Sequence, residues 1–272
     1  MSLRLDIPRQ ALAGAAALLL SGAASAVQIA LTITVENLAP ANSVSFAPLH
    51  FGLGNGTFDA FDIGGVATAP IVSVAEGGSG TAWQAAFGMT EPAATRGTVG
   101  GLLQPGESRS LTVMVDSTVN PYFTFGSMVV PSNDFFIGND SPTQYRLFDN
   151  AGQLQIGSIG IKADEIWDAG SEVFDPAAAA FVGNNDLRAN QNSVVALNFA
   201  ELAAFNGLTT GAGYTFNSGL TAQSDVYNIS FQAAAVPEPG SYALLSAGLL
   251  AVGWVARGRR VRSAPGAMLR AM

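Results

Sequence analysis

Residues 128–138 read Met-Val-Val-Pro-Ser-Asn-Asp-Phe-Phe-Ile-Gly. They form an apolar strand end that turns at Pro131 and presents one carboxylate, Asp134, among aromatic and aliphatic neighbours. An ionised acid in such surroundings is costly unless a donor or a cation meets it. Further on, Ile166-Trp167-Asp168-Ala169-Gly170-Ser171-Glu172 supplies two more carboxylates beside a large aromatic that would fix the loop against a core. If the two loops meet at one end of a β-sandwich, the chemistry they offer is that of a divalent cation site, with calcium the expected ion. Calcium takes about six to eight oxygens, which carboxylates, carbonyls and water supply without His or Cys. Gathered without a cation, the carboxylates would raise one another's pKa. The competing reading is that loop acids are solvated surface charges.

Composition removes most other chemistries. The chain of 272 residues has no cysteine and a single histidine, His50. Disulfides, thiolate metal sites, multi-imidazole zinc and most imidazole-based nucleophile schemes are therefore excluded. His50, beside Phe46, Leu49 and Phe51, reads as a packed histidine, and Trp83 with Phe87 as core, with sugar stacking on Trp83 the alternative. Within residues 27–235 only Arg96, Arg109, Arg146, Lys162 and Arg188 are cationic against 18 acids, a net charge of −13. Such a balance excludes a nucleic-acid partner, which requires basic patches. Asp59, Asp62, Asp164 and Glu165 read as surface charge. No enzyme is expected; a polysaccharide hydrolase using paired carboxylates is the alternative, and it would need two acids across a cleft.

The two ends are addresses. Residues 1–26 carry Arg4 and Arg9, an apolar run from Ala11 to Leu20 and the small-residue pattern Ala24-Ser25-Ala26, a secretory signal peptide cut after Ala26. At the other end stand Val236-Pro237-Glu238-Pro239-Gly240, an apolar stretch from Tyr242 to Ala256, and Arg257, Arg259, Arg260 and Arg262. The stretch predicts a transmembrane helix whose arginines stay cytoplasmic. These three parts, residues 236–262, resemble the PEP-CTERM sorting signal of Gram-negative bacteria that form exopolysaccharide, followed by a cytoplasmic tail over 263–272. The resemblance implies that an exosortase reads the tail and removes the helix, leaving it a transient inner-membrane anchor; a permanent single-pass anchor is the alternative.

The elements that must position the acids lie between these ends. Ile29, Leu31, Ile33 and Val35 alternate with Thr32 and Thr34, a half-buried strand. Further strands are predicted at Ser110 to Val115, Tyr122 to Val130, Tyr145 to Phe148, Gln153 to Ile156 and Val226 to Phe231, with Asp149 to Gly152 closing a hairpin. Phe58 to Glu76 and Ser193 to Asn206 predict short helical turns on connections, Gly97 to Gly101 a loop, and Glu91-Pro92 a turn. The expected fold is all-β, an antiparallel β-sandwich with short helices on the connections, forming one domain over residues 27–235.

Several landmarks in order, Thr34 to Leu38, Phe46 to Leu49, Val74 to Gly78, Met128 to Gly138, Trp167 to Gly170 and a closing strand near Val226 to Phe231, resemble the Spondin N-terminal domain. That resemblance implies a sandwich akin to calcium-binding C2 domains, with Asp134, Asp168 and Glu172 as calcium ligands. At the last position the family commonly has Asp. Taken with the sorting signal, the expected function is that of a secreted, surface-sorted adhesion or matrix module of biofilm, with polysaccharide or matrix components as partners and calcium as a staple or a bridge to an acidic polymer.

Overall fold

The structure, a computed structural model, describes residues 28–236, 246 and 248–250. The leader expected over 1–26 and nearly all of the apolar stretch 242–256 lie outside the described residues, among which no helix is long and apolar enough to cross a membrane. The described chain forms two antiparallel sheets. The first holds β1 (Gln28–Asn37), β5 (Ser108–Asp116), β8 (Ser158–Lys162) and β11 (Asp225–Ala235) in the order β5-β1-β11-β8. The second holds β3 (Leu49–Gly54), β4 (Thr95–Val99), β6 (Tyr122–Val130), β7 (Phe135–Gly138), β9 (Trp167–Asp168) and β10 (Ala196–Leu197), ordered β10-β9-β7-β6-β3-β4, with β2 (Ser45–Phe46) added on β6.

Alternation decides what faces inward. Ile29, Leu31, Ile33 and Val35 of β1 are buried and meet Phe51, Phe123 and Phe125 of the other sheet in one core. Phe123 stands edge-on to Phe231 at 5.0 Å between centroids, and Phe46 lies 4.5 Å from Tyr227. These contacts across the layers establish the all-β sandwich. In contrast to β1, β6 is buried almost continuously, because its second face is also covered. That cover is two helices, α1 (Ala69–Gly77) and α2 (Thr81–Thr90). Ile71, Val74, Trp83 and Phe87 pack with Phe58 and Phe136 into a second core. Trp83 is fully buried and unavailable for sugar stacking.

Where local expectation and structure differ, tertiary contacts explain it. Thr81–Thr90 is helical because Trp83 and Phe87, four apart, fall on one face and fill the outer core. The Gly97 region is strand rather than loop: β4 pairs with β3 over Leu49 to Leu53, and Gln84 Nε2 donates to Gly97 O at 2.7 Å. The hairpin expected over 145–156 shrinks to the bridge Phe148–Leu154. Its first arm is drawn to β6 instead: Phe123 N donates to Tyr145 O at 2.9 Å and Leu147 N to Pro121 O at 2.8 Å. Helical turn in the two expected patches is confined to α1 and to a 3-10 segment at Phe199–Phe205.

The outer layer demands one glycine. A Cβ on Gly52 would sit 2.2 Å from Phe87 Cε2, so α2 can lie on β3 only with no side chain there. Gly52→Ala is expected to destabilise the fold by about 1–3 kcal/mol, as overpacking does. Chemical denaturation measures this, and Gly52→Ala combined with Phe87→Leu should recover part of the loss.

Candidate functional site

The turn at the end of β6 is built from its own side chains. Ser132 Oγ donates to Val129 O at 2.5 Å and accepts from Phe135 N at 3.0 Å. The chain thereby reverses after Pro131 and returns as β7 beside β6, pairing Met128 with Phe136. On the other flank of β7, Phe135 pairs with Asp168 and Phe136 with Trp167, while Ala169 N donates to Asp134 O at 3.1 Å. Sheet register thus places Asp134 opposite the start of the Ala169-Gly170-Ser171-Glu172 turn. The two loops meet, as expected.

Their chemistry is more self-contained than expected. Asp134 is buried, and its Oδ2 accepts from Ser171 N at 2.7 Å, Glu172 N at 3.0 Å and Ser171 Oγ at 3.2 Å. Asp168 closes its own turn, accepting from Gly170 N at 2.7 Å through Oδ1 and from Asn198 Nδ2 at 3.2 Å through Oδ2. Gly170 has φ +65, and a Cβ there would stand 2.8 Å from Val194 O, so the turn requires glycine. Glu172 is also buried, with Arg188 Nη1 3.0 Å from Oε1; the same nitrogen lies 3.6 Å from Glu76 Oε2. Asn133 lies against Glu172 as well and exchanges hydrogen bonds with the Asp175 backbone at 3.2 Å.

The acids titrate accordingly. Burial, and then the Asp168 carboxylate, push the Asp134 pKa up to about 6, against the opposing hydrogen bonds from Glu172 and Ser171. Burial also raises Glu172; Arg188 opposes this and Glu76 adds to it. Of the three acids expected as calcium ligands, Asp134 and Asp168 accept hydrogen bonds from the protein and Glu172 faces Arg188. Among the described residues no group of three or more His, Asp or Glu side chains could hold a metal ion. In this arrangement backbone amides take Asp134 and a guanidinium faces Glu172.

Sequence reasoning missed Arg188, Asn133, Glu76 and Asn198. Only Arg188 carried a signal: it is one of five cations in residues 27–235, where a buried acid would seek a counter-charge. His50 is the packed residue expected. It lies 3.0 Å from Gly78 O through Nε2 and 3.0 Å from Thr98 Oγ1 through Nδ1, and burial lowers its pKa, so neutral imidazole donates to the carbonyl and accepts from the hydroxyl. Asp59 is raised by burial and then by Asp62 and Asp140.

Comparison with known proteins identifies the tail. The PEP-CTERM protein-sorting motif matches residues 235–260. The chain therefore carries the mark of an exosortase-processed protein that is secreted or sorted to the cell surface of Gram-negative bacteria. No curated protein matches the chain. The spondin-like resemblance of the middle of the chain gains no support from these comparisons and rests on its motifs alone.

The acid junction makes a signed pH prediction. Because the Asp134 pKa rises from 3.8 to about 6 on folding, its contribution to stability is fully present below the lower value and is lost as pH rises through the upper one. The full change is about 3 kcal/mol. Asp134→Asn keeps an acceptor for Ser171 and Glu172 without the charge. The stability of wild type relative to Asp134→Asn should therefore fall by about 2–3 kcal/mol between pH 4 and pH 7, as read from denaturant melts across that range.

Proposed function

We propose that this protein is a non-catalytic adhesion or matrix module, delivered to the cell surface and associated there with exopolysaccharide of the biofilm matrix. The observation that carries this reading is the position of the sorting motif. It begins at residue 235, where β11 ends, so the whole sandwich precedes the signal and is exported with it. The absence of cysteine fits a module held by its core and by internal hydrogen bonds. The acids fit binding better than catalysis: Asp134 Oδ2 accepts from three donors and Glu172 is buried beside Arg188.

A second reading gives the junction a calcium ion that rigidifies its loops. After burial, the Asp168 charge is the next cause that raises Asp134, and a cation beside the two carboxylates would remove that second cost. It requires ligands beyond the two aspartates, with Glu172 remaining on Arg188.

Purified protein mixed with exopolysaccharide from cells that export such proteins should be retained on the polymer without releasing reducing ends. Polymer turnover lost on a single acidic substitution would replace this reading with a hydrolase. For the second reading, millimolar calcium should raise the melting temperature by several degrees over a chelator control. Asp168→Asn should cancel that rise, and an unchanged wild-type melt rejects the ion.

A further inference from the structure

A slot of about 210 Å³ opens where the edges of the two sheets face each other. Its floor is Ile161 of β8, its walls are Trp167 of β9 and Tyr145, and Leu197 of β10 stands at its lip, about half exposed. Gln144 and Glu165 complete the lining on the polar side. The size is of the order of one six-membered sugar ring, and the mixture of aromatic walls with a few convergent polar groups is that of a small-ligand site.

The polar groups are arranged but incompletely used. Trp167 is fixed by donating Nε1 to Gly138 O at 2.9 Å and by an edge contact with Phe61 at 5.3 Å, so its ring is held in place. Tyr145 Oη accepts from Gln144 Nε2 at 3.0 Å, while its own proton has no acceptor among the described residues. Burial and the neighbouring Glu165 raise the Tyr145 pKa, so that proton is retained. Glu165 Oε2 accepts from Lys162 N at 2.7 Å, leaving Oε1 free. One donor and one acceptor thus flank a fixed aromatic wall. Lys162, the nearest cation in sequence, sends its Nζ to Asp225 at 3.2 Å, away from the slot. Among the described residues the only charge lining the slot is the Glu165 carboxylate, which disfavours a uronate and leaves a neutral polyol.

We propose that this slot binds a neutral pyranose unit of a polysaccharide, its apolar face on Trp167 and its hydroxyls between Tyr145 Oη, Gln144 and Glu165. The proposal rests on the reading of the protein as an exopolysaccharide-associated module, and names the sugar class it takes. It needs no metal.

The test titrates the purified full chain, in chelator, with hexamers of glucose, N-acetylglucosamine and galacturonate, followed by saturation-transfer NMR and tryptophan fluorescence. The expected result is saturable binding of at least one neutral hexamer and none of galacturonate. Trp167→Ala should weaken that binding by about tenfold or more. Because Trp167 also packs on Phe61, the double variant Tyr145→Phe, Gln144→Ala is measured beside it. It keeps the Tyr145 ring packed on Phe125 and removes only its hydroxyl and the exposed Gln144 amide, and should weaken binding several-fold at an unchanged melting temperature. Absence of saturable binding to either neutral hexamer, tighter binding of galacturonate, or affinity unmoved in the double variant overturns the proposal. Retention on bulk exopolysaccharide without hexamer binding defeats the slot alone; hexamer binding without retention defeats the module reading and leaves the slot.

Discussion

The Asp134 carboxylate, set out of water against the backbone amides of Ser171 and Glu172, is the contact on which the arrangement of this end of the sandwich depends. A buried carboxylate must be matched by donors or it will not stay ionised. Here the donors come from a turn distant in sequence, so satisfying one side chain fixes the position of an entire loop. That loop carries Glu172 inward, and Glu172 in turn requires Arg188, whose Nη1 also approaches Glu76 at the end of α1. The sandwich, its outer helix and the long connection after β9 are tied together by three acids and one guanidinium.

The same device recurs elsewhere. Glu91, buried at the end of α2, accepts from Thr57 N at 2.8 Å, from Phe58 N at 2.7 Å and from Asn55 N. Asn37 and Asn139 do the neutral equivalent: Asn37 Nδ2 donates to Val44 O and Leu103 O, and Asn139 Oδ1 accepts from Phe125 N. An exported chain without cysteine has no covalent cross-link to hold its long connections. Buried side chains that cap loop amides supply the equivalent constraint, and at Asp134 the cost is a pKa raised to about 6.

The legible part of this fold was the part written in local periodicity. The alternation of Ile29, Leu31, Ile33 and Val35 and the run Tyr122 to Val130 announce strands, and the convergence of the Asp134 and Asp168 loops follows from β7 pairing with β9. Burial on both faces hid the rest. Thr81 to Thr90 shows little contrast between its faces and has no capping side chain, so α2 forms because β3 and β6 offer a surface for Trp83 and Phe87. The chemistry of the site was illegible for a related reason. That three acids lie near two loops is visible in the chain, but whether a metal, an amide or a guanidinium meets each is decided by residues such as Asn133, in the turn between β6 and β7, and Arg188, on the long irregular connection after β9. The sorting signal, by contrast, is linear and could be read directly, as the match over residues 235–260 shows.

Hydrogen exchange at the backbone amides of Ser171 and Glu172 tests the clasp most directly, by comparing wild type with Asp134→Ala under conditions where both remain folded. The account predicts strong protection of both amides in wild type and its loss at these two positions in the variant, by about tenfold or more for a charge-assisted bond, with strand amides in β1 and β6 unaffected. Equal exchange of the two amides in both proteins would contradict it, since the carboxylate would then be holding nothing.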